Sequence, residues 1–182
     1  LRASATKTTP ISETKVEYTA ADGTRIVEQT PLPRNKKVGD KFEALNFKPT
    51  KVDGKFVHSS GALNVTYNTL TNGIKISTPA GDMKVKPKGV EAVEAVKEKD
   101  AVIYKGAWKN VDLVYEYQGD SIKEYIVVKK KNVTTTWDFK VEGAKVSNSP
   151  TVPGGIDIKI GTASMYIEPL FVIATLIGPV SK

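Results

Sequence analysis

NVDLVYEYQGDSIKEYIVV, residues 110 to 128, decides the fold. Two runs of alternating apolar and polar residues flank Gln118-Gly119-Asp120-Ser121, the pattern of a β-hairpin. With that tetrapeptide as the turn, Tyr117 faces Ile122, Tyr115 faces Glu124, Leu113 faces Ile126 and Val111 faces Val128. This face is apolar apart from Glu124. The other face pairs Glu116 with Lys123, Val114 with Tyr125 and Asp112 with Val127. A one-residue slip would turn Tyr115 and Leu113 into water, so the register is strongly specified.

The charges inside this hairpin are either a reaction centre or a means of fixing the strands. A retaining glycosidase needs two carboxyl groups ~5 Å apart. Asp112 and Glu116 share a face but stand ~13 Å apart by strand rise, and Glu124 belongs to the opposite face. The three make no dyad, so the expectation is a non-enzyme. Glu116 opposite Lys123 is expected to form a cross-strand ion pair worth well under ~1 kcal/mol. Glu124 is expected to be a buried or half-buried acceptor for a Tyr hydroxyl or a backbone N–H.

The same patterning extends outward from the hairpin. Lys15–Tyr18 and Thr24–Gln29 flank Ala21-Asp22-Gly23, and Lys51-Val52 and Lys55–His58 flank Asp53-Gly54. Leu63, Val65 and Tyr67 alternate with polar residues, as do Ile74 and Ile76, then Met83 and Val85, and later Ile156, Ile158 and Ile160. Thr134–Val141, Met165–Ile167 and Phe171–Ile177 read as further strands, and residues 90 to 99 as a strand or irregular turn. Short strands with turn signals every ~8–12 residues predict an all-β protein, an antiparallel β-sandwich with a barrel as the alternative. Residues 1–15 read as an extended lead-in or a strand in need of a partner. Residues 16–182 form the β domain, with a candidate subdomain boundary near 79–100.

Bulk properties bound the function. With 40 % hydrophobic and 26 % charged residues, the 182-residue chain can bury a core. The longest apolar run, residues 169 to 180, is shorter than the ~20 residues a spanning helix needs. The absence of cysteine removes disulfides, thiol nucleophiles and thiolate metal sites. Leu1 in first position reads as the start of a processed product or of an excised piece, and Ala3-Ser4-Ala5 has the small-x-small form of a signal-peptidase site. A net charge of +7 favours anionic partners such as cell-wall polymers, with no signal for specific nucleic-acid recognition.

His58 is the only histidine, which excludes multi-histidine metal centres, and no phosphate-binding loop or calcium loop is present, so neither a metal nor a cofactor is expected. In a strand beside Ser59 and Ser60, His58 reads as structural or exposed. Trp137, near Phe139, reads as core. Trp108 and Tyr104 are the candidate aromatic platform for a glycan, with the run Lys129-Lys130-Lys131 as its basic flank. The structural hairpin residues are Asp112, Tyr115, Glu116, Gly119, Lys123 and Glu124.

Tyr104, Asn110-Val111-x-Leu113, Tyr115, Gly119, Lys123-Glu124 and Ile126-Val127-Val128 together resemble a motif in the N-terminal β-rich regions of secreted bacterial YD-repeat (Rhs) and wall-associated proteins. Thr135–Phe139, Ile156–Ile160 and Met165–Pro169 are similar downstream, so the resemblance spans residues 60 to 180. Here Asn110-Val111 abuts Asp112 directly, a shorter spacer than in that pattern. The resemblance implies a non-catalytic, extracellular β domain at the cell surface or in a toxin-delivery protein. Its expected partners are other parts of the same protein or a second copy, met through strand edges. The alternative expectation is a glycan- or cell-wall-binding module.

Overall fold

The computed structural model describes residues 4–31, 33–59, 63–119, 121–131 and 133–169. Among these there are eighteen β-strands and no α-helix. β1 (Ala5–Pro10), β2 (Lys15–Ala20) and β3 (Arg25–Gln29) form an antiparallel meander, followed by the hairpin of β4 (Asn35–Val38) and β5 (Lys41–Ala44). The lead-in is thus the strand reading and not a free arm, since β1 pairs with β2 from Ala5 to Pro10.

β6 (Thr50–Val52), β7 (Lys55–His58), β8 (Asn64–Tyr67), β9 (Ile74–Thr78) and β10 (Gly81–Pro87) follow as successive hairpins. They make a six-stranded sheet once β15 (Phe139–Glu142) adds beside β10. β11 (Val96–Glu98), β12 (Ala101–Trp108), β13 (Val111–Tyr117) and β14 (Ile122–Val128) form a four-stranded sheet in chain order. β16 (Lys145–Asn148), β17 (Ile156–Ile160) and β18 (Ala163–Ile167) form the last sheet.

All pairings are antiparallel and the sheets are open, so the barrel alternative gives way to a sandwich-like arrangement. The β13–β14 register runs Val111↔Val128 through Tyr117↔Ile122, the pairing read from the sequence. One reading is corrected: residues 133–138 are irregular and only Phe139–Glu142 is strand. Residues 90–95 are irregular and run into the short strand β11, within the two alternatives read for that stretch. The expected strand at 171–177 lies outside the described residues.

The core lies between the six-stranded and four-stranded sheets. Val65, Tyr67, Ile74, Ile76 and Met83 meet Val102, Tyr104, Leu113, Tyr115 and Tyr117, joined by Ile158 and Ile160 of β17. Each such side chain contributes roughly 1.5–3 kcal/mol by leaving water. This one cluster draws on both sides of residues 79–100, so that stretch crosses a shared core. β1 to β5 supply none of its members.

Candidate functional site

β12 and β13 pair regularly from Ala101↔Glu116 to Tyr104↔Leu113, and pairing resumes only at Trp108↔Val111. The interruption is a β-bulge around Gly106, whose φ of +68° lies in the left-handed region that glycine tolerates. Asp112 stands against this bulge. Its Oδ1 accepts the Gly106 N–H at 2.7 Å, and its Oδ2 takes Lys129 Nζ at 2.6 Å. The Asp112 side chain is only 11 % exposed, so this carboxylate is a clamp tying the bulge of β12 to the end of β14. The backbone bond from Lys129 N–H to the Asn110 carbonyl closes the same corner.

The other hairpin charges go elsewhere. Glu116 and Lys123 face each other, but no ion pair forms between them among the described residues; the Glu116 carboxylate instead accepts the Tyr125 hydroxyl at 3.1 Å. This corrects the expected cross-strand pair. A hydroxyl at the rigid end of a ring on the neighbouring strand competes well with a flexible, solvated ammonium. Glu124 lies opposite the buried Tyr115. Glu124 as a whole residue is exposed, yet its carboxyl end is desolvated and pushed above the usual carboxylate range, an effect that the Tyr115 hydroxyl opposes. Burial, then Glu124, push the Tyr115 hydroxyl well up, and that hydroxyl has no partner of hydrogen-bonding geometry. Gly119, at φ +95°, lets the turn close over Phe47: a Cβ there would lie 2.8 Å from the ring.

The expected aromatic platform is not at the surface. Tyr104 is fully buried and donates to the Asn68 carbonyl at 2.7 Å. Trp108 is buried, donates from Nε1 to the Lys88 carbonyl at 2.9 Å and packs edge-on to Phe139 and at a tilt to Trp137. Trp108 shares the inward phase of Val102 and Tyr104, and the bulge, which adds two residues to β12, preserves that phase while also burying Ala107. Of the lysine run, Lys129 is taken by Asp112, while Lys130 and Lys131 are exposed.

Sequence reasoning undervalued His58. It is buried at 1 % exposure and stacks on Tyr117 with ring centroids 4.6 Å apart and planes within 6°. Its Nδ1 lies 3.1 Å from the Tyr67 hydroxyl. Nε2 has no partner of hydrogen-bonding geometry, although the Phe47 backbone is near enough to act on the ring. Desolvation lowers its pKa to about 4; the Phe47 backbone opposes this and Lys97 adds to it. Tyr117 in turn donates to the carbonyls of Leu63 at 2.8 Å and Gly119 at 2.9 Å. The signal was available: His58 is two residues from Phe56, on the same inward phase of β7.

A shallow cleft of about 430 Å³ on the six-stranded sheet is lined by Lys75, Asp82, Met83, Lys84, Glu142 and Gly143. Its acids are already matched: Lys75 holds Asp82 at 2.6 Å, and Glu142 lies between Lys86 at 2.8 Å and Lys140 at 2.9 Å. Hydrogen bonds from Lys86 and then Lys140 hold the Glu142 carboxyl down at about 2. Among the described residues no group of three or more acidic or histidine side chains could hold a metal ion, and no helix is long and apolar enough to cross a membrane. No protein-family model, curated protein or solved structure matches this chain.

Proposed function

We propose that this chain is a structural and assembly domain of a secreted or surface-exposed bacterial protein, working without catalysis. The observation that carries the reading is the use of the hairpin charges. Asp112 clamps a bulge, Glu116 anchors Tyr125, and Lys129 covers Asp112, so these polar groups serve strand order. The secreted, bacterial setting rests on the resemblance of the hairpin to wall-associated β-rich regions. Exposed Val27, Val52, Val128 and Ile167 on the outermost strands β3, β6, β14 and β18 leave apolar edges available for pairing.

The test is light scattering after gel filtration at two concentrations, beside a pull-down with purified bacterial cell wall at low and high salt. Growth in mass with concentration is expected. A monomer at both concentrations that the wall retains at low salt and releases at high salt would replace this reading with polyanion binding through exposed lysines.

A further inference from the structure

The six-stranded sheet turns Ile74, Ile76 and Met83 to the core, and alternation puts Lys75, Ser77, Lys84 and Lys86 on its other face. Pairing sets Thr66, Lys75, Lys84 and Glu142 in one row across β8, β9, β10 and β15, with Lys86 opposite Lys140 in a neighbouring row. Lysines therefore stand directly opposite each other twice, Lys75 with Lys84 and Lys86 with Lys140. Like charges placed this way destabilise a sheet.

The acids of this face do not cancel the lysines. Asp82 takes Lys75 at 2.6 Å, and Glu142 alone serves both Lys86 at 2.8 Å and Lys140 at 2.9 Å. Lys84, exposed in the middle of the group, forms no ion pair among the described residues. The cleft of about 430 Å³ opens over this unpaired lysine and Lys75. An arriving anion therefore finds one free ammonium at once, and two more that share a single carboxylate.

The excess charge spans three strands, about 10 Å across them and about 7 Å along them. One small anion cannot answer charges so spread over an open face, whereas a chain with an anion on successive units can. Thr66 opposite Lys75, and Ser77 two residues along from it, add hydroxyls beside the lysines. No aromatic side chain stands in these rows among the described residues. Single-stranded nucleic acid draws much of its affinity from stacking on aromatic rings, so lysines flanked by hydroxyls favour a sugar chain. We propose that this face of β8, β9, β10 and β15 binds an acidic polysaccharide, with Lys84 as its first contact and Lys75, Lys86 and Lys140 around it. These residues are not the aromatic platform or the lysine run expected from the sequence. The inference goes beyond the assembly reading and does not depend on it.

Titration with polygalacturonate and with heparin, at low and at physiological salt, tests it, with circular dichroism reporting the fold. The wild type is expected to bind at least one of the two at low salt and to weaken as salt rises. Lys84→Glu is expected to weaken binding roughly tenfold. Lys41→Glu makes the same charge change at an exposed position in the separate β4–β5 hairpin and is expected to alter binding less than about twofold. Glu142→Gln removes the acid that occupies Lys86 and Lys140, so it is expected to tighten binding about threefold. Equal losses in Lys84→Glu and Lys41→Glu would overturn this face in favour of attraction to the net charge of +7. No binding of either polymer at low salt would overturn the proposal outright. Single-stranded DNA that binds more tightly than both, with the same loss in Lys84→Glu, would overturn the choice of a polysaccharide. None of these outcomes turns on the solution mass, which tests assembly separately.

Discussion

His58, stacked on Tyr117, ties the stability of the fold to pH. The folded chain keeps the ring neutral down to about pH 4, whereas the unfolded chain protonates it near 6.5. Between those values the unfolded state binds more protons, so stability is fully present above pH 6.5 and is lost as the pH falls toward 4. The shift corresponds to roughly 3 kcal/mol. Urea unfolding midpoints across this window are expected to drop with acidification in the wild type and to stay nearly level in His58→Phe, which keeps a ring on Tyr117. Equal slopes in the two proteins would remove His58 as the cause. Glu142 acts in a different window: its carboxyl, held down at about 2 from an ordinary 4.5, favours the fold above pH 4.5 and loses that effect only below it. The sequence placed His58 in a strand but left open whether it was inside, because a histidine beside two serines carries no burial signal of its own.

At the scale of the element, the β12–β14 ribbon depends on the Asp112 clamp. Asp112→Ala leaves the Gly106 N–H without its acceptor and is expected to cost about 1–3 kcal/mol, read from the urea midpoint. Asp112→Asn keeps an oxygen for that N–H and loses the charge on Lys129, so its cost is expected to stay under ~1 kcal/mol. Equal losses in Asn and Ala would mean that the ion pair, which both variants lack, and not the bulge bond, is the main contribution. This element also shows where sequence was legible. The β13–β14 register followed from alternation about one turn, because a slip exposes Tyr115 and Leu113. The neighbouring pairing did not, because a bulge that adds two residues to β12 leaves no break in the period-2 pattern to reveal it. Trp108 stays in the inward phase of Val102 and Tyr104 across it, although its neighbours Ala107 and Lys109 beside a turn suggested exposure.

Over the whole molecule, stability is unevenly distributed. The buried cluster gathers residues from Leu63 to Ile160, and β1 to β5 add no member to it. The N-terminal sheet and the β4–β5 hairpin are held together by polar bonds. Asn35, itself buried, donates from Nδ2 to the Ser12 carbonyl at 2.7 Å and the Lys15 carbonyl at 3.1 Å. The Arg34 and Asn35 amides both reach the Glu13 carbonyl. A sheet with exposed Ile26 and Val27 and little apolar burial opens more cheaply than one sealed against a core. Hydrogen exchange on the full chain is therefore expected to proceed in two classes. Amides of β12 and β13 should exchange only through global unfolding, and those of β1 to β3 through a local opening at lower free energy. Asn35→Ala is expected to speed exchange in β1 to β3 by about tenfold, since losing a bond worth ~1 kcal/mol or more acts on that opening alone, while β12 and β13 stay unchanged. Exchange that accelerates equally in both regions would show that the N-terminal sheet and the core unfold as one cooperative unit.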